Sequence, residues 1–538
     1  MSKKDIKPIS YLTDYIGKWK GKVISASIFS MLNKIFDIAP EVLIGIAVDL
    51  VVKKNDSFVA SLGFTSIDSQ VAFIGGITFL IWALESLFEY LYMIEWRGLA
   101  QRVEHDLRVK TYDHAQLLDL DWHEKQSIGN ITAILNDDVN QLERFLNNGV
   151  NQIIQISVST IIIGFIFFYI SPLIATIAII PVPIIFFVSI FFQKKLSPKY
   201  KSIREKVGLL STLIVNNLMG IKVIKSFMTF EIEKLNLGAR SKEYQQENIN
   251  AIAISSAFNP LIRMGVLSGF LGTMLIGSYM ALSGTLEVGS YSVLVFLTQR
   301  FLWPFTTLSI LIDDFERTMA SCGRIFNMLS VQIKIKDKPN SISPNTNGFD
   351  IRFEDVSFHY EESIPLFKDL NMTIPHGTSI GLVGDTGSGK TTIAKLLLRL
   401  YELKNGNIHI GDHLISDLSI KYLREKIGIV SQESFLFDAS ILENITYGVK
   451  NPDSLDIDQA IDKSQCREFI EKLPEGLNTI VGERGQILSG GQRQRISIAR
   501  TLIRKPEIII FDEATSSVDN RTEQLILSLI HISEPTRL

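Results

Sequence analysis

Residues 384–392 read GDTGSGKTT, and residues 508–513 read IIIFDE. The first string fits G-x-x-x-x-G-K-[ST], a loop whose backbone N–H groups converge on phosphate oxygens. Its flanks supply the setting such a loop needs. The apolar run at 379–383 reads as a buried strand, and TTIAKLLLRLY at 391–401 reads as the helix that follows. Gly384, Gly387 and Gly389, interleaved with Asp385, Thr386 and Ser388, allow a tight turn against that helix N-terminus, which adds positive potential. Lys390 is placed to neutralise the β- and γ-phosphates of a nucleoside triphosphate. The hydroxyl of Thr391, followed by Thr392, is placed to hold Mg2+. The second string is a β-branched run ending in Asp512 and Glu513, and Asp512 at the strand end is placed to hold Mg2+ through water. From residue 349 onward short apolar runs alternate with helical ones, the pattern of an α/β domain.

Further strings stand in order around these two. Tyr360 precedes the loop and offers an aromatic face for adenine. Gln432 follows it in IVSQESFLF, then VGERG at 481–485 and LSGGQRQR at 488–495. LSGGQ runs straight into the amphipathic QRISIARTLIRK. Ser489, Gly490, Gly491 and Gln492 therefore open a helix whose N-terminus can bind phosphate.

Upstream of residue 331 the composition changes. The 538-residue chain balances 54 basic against 57 acidic residues, which gives no reason to expect a nucleic-acid partner. Its mean hydropathy of +0.21 is high, and the excess lies in the first part of the chain. A bilayer span needs about 20 mostly apolar residues. Six stretches qualify: 23–52, 71–96, 150–170, 173–192, 261–282 and 291–312. The second and third are joined by about fifty polar residues with helical patterning, as are the fourth and fifth, whereas the other joins are short. Arg97, Arg102, Arg108, Lys194, Lys195, Lys199 and Lys201 flank the long links, as does the basic N-terminus, so that side is cytoplasmic. The domain reading is a membrane domain at 1–330, a Pro-containing linker at 331–348 and a nucleotide-binding domain at 349–538.

Charges interrupt the spans at Lys34, Asp37, Glu41, Glu85, Glu89, Arg263 and Arg300. Spacings of three and four put Lys34, Asp37 and Glu41 on one helical face. Two readings stay open: a polar translocation path that meets cargo, or ion pairing between helices. Cys322 and Cys466 lack metal-ligand spacing and read as packed, reduced thiols. The glycosylation patterns at Asn130, Asn371, Asn444 and Asn520 fall on the cytoplasmic side and are chance, and His123-Glu124 has no second histidine at zinc-protease spacing.

The ordered strings resemble the ATP-binding cassette family, and the upstream region resembles the membrane domain of that family's exporters, over nearly the whole chain. The resemblance implies an all-α six-helix transmembrane domain with long cytoplasmic extensions, followed by an α/β phosphate-loop domain. It implies ATP and Mg2+ as cofactors. Glu513 would polarise the attacking water, and Gln432 would link Mg2+ and that water to the membrane domain. It also implies that Ser489, Gly490, Gly491 and Gln492 close on the γ-phosphate held by an opposite subunit. One cassette and one helix set make the chain a half-transporter. The unmodified Lys390, Ser489, Gly490, Gly491 and Glu513 favour a homodimer, with a related half-transporter as the other possible partner. Coupling helices are expected near 121–127 and 217–227. The implied function is ATP-driven export of a small or amphipathic substrate (drug, lipid or peptide) across a bacterial inner membrane by alternating access. An ATP-gated channel or membrane regulator on the same scaffold is the alternative.

The resemblance stops near the C-terminus. After TEQLILSLI the family has a strand and then a switch histidine, whereas this chain reads HISEPTRL and Pro535 ends any helix. His531 comes too early for that role. A truncated cassette that binds Mg-ATP but hydrolyses it poorly is the expectation.

Overall fold

The computed structural model describes residues 8–344, 348–360 and 364–512. Glu513, Asn520, His531 and the rest of the C-terminal segment lie outside the described residues. The chain forms two compact units, one of residues 1–116 and 128–330, the other of residues 117–127 and 331–538.

The first unit is helical. Helix α1 (Pro8–Ile16) leads into α2 (Lys20–Lys53) and α3 (Ile67–Leu117). Short helices and two five-residue π turns then lead into α5 (Val150–Ile170); α4 belongs to the other unit and is given below. Next come α6 (Pro172–Ile179), α7 (Pro181–Met219), α8 (Ile221–Phe227) and α9 (Phe230–Ser255). Helices α10 (Phe258–Leu282), α11 (Val288–Leu302) and α12 (Leu308–Leu329) complete the unit. Among the described residues, five helical runs are long and apolar enough to cross a membrane. They cover the second to sixth expected spans. The first expected span is α2. It has the length and carries Lys34, Asp37 and Glu41, but it is not among those five. Large apolar side chains stand outward from these helices, among them Phe79, Trp82, Phe165, Phe187 and Tyr279. A helix apolar on its outer face suits hydrocarbon, not water.

Two expected spans are interrupted. The 173–192 stretch breaks at Ile180, where Pro181 starts α7. The 291–312 stretch breaks at a 3-10 turn, Trp303–Thr306, where Pro304 cannot donate the N–H an α-helix requires. The long fourth-to-fifth link is a helical pair. α7 and α9 are tied by Lys206–Glu243 (2.6 Å) and by Asn217 donating to Glu233 (3.1 Å), and the short helix α8 lies at the turn, within the 217–227 stretch.

The interrupting charges of α2 are paired. Arg300 on α11 reaches Asp37 (2.9 Å) and Glu41 (2.6 Å), and Lys34 reaches Asp37 (2.6 Å). For Asp37, Glu41 and Arg300 the structure favours inter-helix pairing, while Lys34 pairs within α2. Glu85, Glu89 and Arg263 make no ion pair within 4 Å among the described residues. Further along the seam, a Cβ on Gly45 would stand 2.8 Å from the Gly289 carbonyl oxygen, so only glycine lets α2 and α11 approach so closely. The Gly289 N–H donates to Asp49 Oδ1 (2.9 Å) at the start of α11.

The second unit opens with α4 (Leu120–Lys125), a short helix overlapping the 121–127 stretch, which sits apart in sequence from everything else in it. An antiparallel sheet in the order β2-β1-β3-β4 follows, from β1 (Ile351–Phe358), β2 (Phe367–Ile374), β3 (Asn405–Ile410) and β4 (His413–Leu414). The phosphate-loop helix is α13 (Lys390–Leu397). Two parallel strands, β5 (Ile427–Val430) and β6 (Ile508–Phe511), pair from Ile427↔Ile508 to Val430↔Phe511. Helix α14 (Ile420–Lys426) precedes β5, and α15 (Gly490–Leu502) precedes β6. The linker read at 331–348 is fastened over its described part. Ile342 exchanges backbone bonds with Asp417 and Ser419 (2.9 Å each), and the Lys334 and Ile335 N–H groups donate to Asp119.

One strand expectation fails. Residues 379–383 form no strand, and Val383 is 98% exposed. An apolar run becomes a strand only beside a hydrogen-bonded neighbour. Among the described residues β6 has one neighbour, β5, and nothing pairs with 379–383.

Candidate nucleotide site

The site is built where the phosphate loop meets the C-terminal ends of the two parallel strands, the usual ligand edge of such a sheet. Gly387 (φ +87) and Gly389 (φ +96) adopt the left-handed backbone that the tight turn requires. A Cβ at Gly389 would lie 2.5 Å from the Phe367 ring, so β2 presses directly on the loop. Lys390 folds over it and donates to the Gly384 (2.7 Å) and Asp385 (3.0 Å) carbonyls, which holds the ammonium at the centre of the turn. Thr386 and Ser388 lie in the same turn, and the Ser388 N–H donates to the Asp385 carbonyl (3.1 Å).

Thr391 and Asp512, 121 residues apart, meet here. The Thr391 hydroxyl donates to Asp512 Oδ1 at 3.1 Å. The parallel ladder places them: Val430 lies beside Phe511, and the Asp512 N–H donates back to the Val430 carbonyl (3.0 Å). The same register brings Gln432, two residues beyond β5, to the edge where Asp512 leaves β6. A hydroxyl beside a carboxylate, with an amide on the same edge, is an oxygen-rich donor set suited to Mg2+. Glu513, next along the chain, lies outside the described residues.

Thr392 turns the other way. It is buried, and its hydroxyl shares a hydrogen bond with the Tyr360 hydroxyl (2.9 Å). That bond ties the aromatic residue to the loop helix, while the Tyr360 ring packs edge-to-face on Phe358 (5.0 Å) and Tyr401 (5.2 Å).

Ser489 caps α15 in a reciprocal box. The Gln492 N–H donates to its hydroxyl (3.3 Å), and its own N–H donates to Gln492 Oε1 (2.8 Å), leaving Gly490 and Gly491 as the first turn. This turn sits on a separate apolar cluster that includes Ile441, Ile445, Ile461, Phe469, Ile496 and Ala499. No hydrogen bond among the described residues joins it to the phosphate loop.

Sequence reading missed two groups. Arg500 on α15 donates to the Asn444 carbonyl (2.8 Å), Asn444 Oδ1 (2.6 Å) and the Phe435 carbonyl (2.9 Å), fastening the segment after Gln432 to the signature helix. Burial holds its pKa below the ordinary guanidinium value. Glu124 on α4 pairs with Lys395 (2.9 Å) and accepts from the Tyr401 hydroxyl. Burial raises the Glu124 pKa, but the bonds from Tyr401 and Lys395 outweigh that and leave it below the usual carboxylate range. A polar residue in an apolar stretch, such as Asn444 in ILENI, was the one available signal. Both cysteines are buried, and burial pushes the Cys466 thiol up to about 12, as a packed reduced residue requires.

Comparison with known proteins agrees with this geometry. Residues 23–305 match the ABC transporter transmembrane region and residues 367–516 the ABC transporter family. The chain is 33% identical, over 90% of its length and 80% of the other's, to an uncharacterized ABC transporter ATP-binding protein, YknV, of Bacillus subtilis. It is 31% identical to the multidrug resistance-like ATP-binding protein MdlA of Buchnera aphidicola (95% and 87% covered). It is 28% identical to an ATP-dependent lipid A-core flippase of Syntrophus aciditrophicus (82% and 74% covered). A bacterial Atm1-family ABC exporter with ATP bound superposes with a TM-score of 0.80 at 25% identity, covering 96% of this chain and 90% of that one. The chain therefore belongs to the ABC transporters, as a multi-pass membrane protein with the exporter fold and a cytoplasmic ATP-binding domain in one polypeptide.

Proposed function

We propose that the chain is one half of a dimeric ATP-driven exporter of a bacterial inner membrane, moving a small or amphipathic substrate such as a drug, lipid or peptide. The observation that carries this reading is the Thr391–Asp512 contact beside a positive-φ glycine loop, in a chain that also supplies membrane helices. The loop amides, Lys390 and the α13 N-terminus hold the triphosphate. Thr391, Asp512 and Gln432 would hold Mg2+, which would supply neutralisation of phosphate charge. Tyr360 supports the adenine, and Glu513 orients the attacking water. Ser489, Gly490, Gly491 and Gln492 complete the site of a second copy, which fits their placement on a separate cluster of their own unit. ATP held between two cassettes stabilises their closed arrangement, hydrolysis releases it, and α4 and α8 pass the change to the membrane helices.

The test is uptake into inside-out vesicles. ATP-dependent accumulation of a stimulating amphiphile supports the reading. ATP-dependent conductance with no uphill accumulation contradicts it and favours a gated channel.

A further inference from the structure

Five side chains from three stretches of the sequence converge on Tyr360: Glu124, Phe358, Thr392, Lys395 and Tyr401. One carboxylate, Glu124 on α4, takes Lys395 Nζ on Oε1 (2.9 Å) and the Tyr401 hydroxyl on Oε2. The Lys395 ammonium stands 5.7 Å from the centre of the Tyr360 ring and 5.6 Å from that of Tyr401, within cation–π range of both. The two tyrosine rings meet edge-to-face at 88° and 5.2 Å, and Phe358 packs edge-on against each. The Tyr360 hydroxyl is bonded to Thr392 (2.9 Å). The position of the Tyr360 ring is thus set by Phe358 and Thr392, which belong to the cassette fold, and by Lys395 and Tyr401, which are both fixed by Glu124.

Residues 117–127 have further contacts in this unit. Leu120 packs on the apolar cluster under β1, and Asp119 accepts the Lys334 (3.1 Å) and Ile335 (3.0 Å) N–H groups. The Glu124 contacts are this segment's polar connection to the tyrosine cluster. If the segment withdrew, Lys395 would lose its counter-charge and Tyr401 its acceptor, and Tyr360 would lose two of the four groups that fix it.

We propose that Glu124 is a positioning residue for the nucleotide base: through Lys395 and Tyr401 it fixes the Tyr360 ring, so that docking of residues 117–127 and the base-dependent part of ATP affinity strengthen and weaken together. The inference rests on the reading of Tyr360 as the adenine platform. Linkage makes the coupling reciprocal, so a base on Tyr360 also holds the segment in place.

The experiment compares Mg-ATP with Mg-tripolyphosphate, which has the phosphates and no base, as ligands of the full chain in lipid nanodiscs. Glu124→Gln is expected to weaken Mg-ATP about three- to tenfold, the scale of one lost cation–π contact and its neighbour, and to leave tripolyphosphate affinity unchanged. Tyr401→Phe gives a smaller loss of the same kind. Lys395→Met matches Glu124→Gln, and combining the two adds little. An unchanged Mg-ATP affinity in Glu124→Gln overturns the inference, as does an equal loss for both ligands, which would mean a merely structural role. Tyr360→Leu separates the two readings. If it weakens Mg-ATP while Glu124→Gln does not, only the coupling is wrong. If it leaves Mg-ATP affinity intact, the platform reading falls and takes the inference with it.

Discussion

Replacing Gly389 with alanine probes the phosphate loop at its tightest point. Its φ of +96 costs an L-residue roughly 1–2 kcal/mol. The new Cβ would lie 2.5 Å and 2.6 Å from two Phe367 ring atoms and 3.2 Å from Leu366 Cδ2, an overpacking that costs about 1–3 kcal/mol more. Gly387→Ala is the internal control. Its φ of +87 carries the same backbone strain, but nothing lies within 4 Å of its Cβ. If the strain must be met before the loop can cradle phosphate, Gly387→Ala raises the Kd for Mg-ATP by about 5- to 30-fold. Gly389→Ala raises it at least about 30-fold, the excess being the contact with Phe367. Equilibrium titration of purified protein with a fluorescent ATP analogue measures both. Adding Phe367→Ala to Gly389→Ala should recover about tenfold, because the obstructing ring is gone. Equal affinities for the two glycine variants, or no recovery in the double variant, would refute the claim that β2 presses on the loop.

Three further outcomes are expected. Lys390→Ala weakens Mg-ATP binding itself, whereas Glu513→Gln leaves binding intact and abolishes turnover; near wild-type hydrolysis by Glu513→Gln would remove that residue from its role. Arg500→Met strips two part-buried Asn444 oxygens and the exposed Phe435 carbonyl of their donor and should destabilise the ATP-binding domain by about 2–4 kcal/mol, seen as a lower unfolding midpoint of that transition, with Arg500→Lys intermediate. The depressed pKa of Glu124 means that its contribution is complete above the ordinary carboxylate pKa of about 4.3 and is lost as pH falls through the lower folded-state value. Amide exchange of residues 117–127, corrected for intrinsic rate, should therefore stay level from neutral pH down to about 4.3 and quicken below it; a change centred near neutrality would contradict the assignment.

The legible part of the molecule was whatever repeats locally. The loop-then-helix of 384–397 and the helix N-terminus at Gly490 are written in contiguous residues, and the structure places them as expected. The apolar spans were equally plain, because hydropathy is a local sum. What escaped needs a partner distant in sequence. Residues 379–383 look like a strand, but a strand needs a neighbour that local pattern does not supply. Pro304 and Pro181 were visible in the sequence, yet hydropathy runs straight through them. Asn444 fitted a glycosylation pattern that was set aside as chance. Its actual task, buried and accepting from Arg500 and Phe437, depends on a contact 56 residues away. Glu124 drew attention only for a zinc motif it does not complete. Its partner Lys395 lies 271 residues on, beyond any local pattern. The same holds for the charges of α2, whose two readings could be separated only when Arg300 was found beside Asp37 and Glu41.

The central claim is that two copies close on ATP, the phosphate loop of one against the LSGGQ helix of the other. Disulfide trapping tests it directly, with Ser388→Cys and Gly490→Cys in one chain; both native cysteines are buried and do not compete. Oxidation in membranes should give a reducible dimer band with Mg-ATP and little without it, and Lys390→Ala should suppress it. A trapped band that is absent, or equally strong with and without Mg-ATP, would contradict the account.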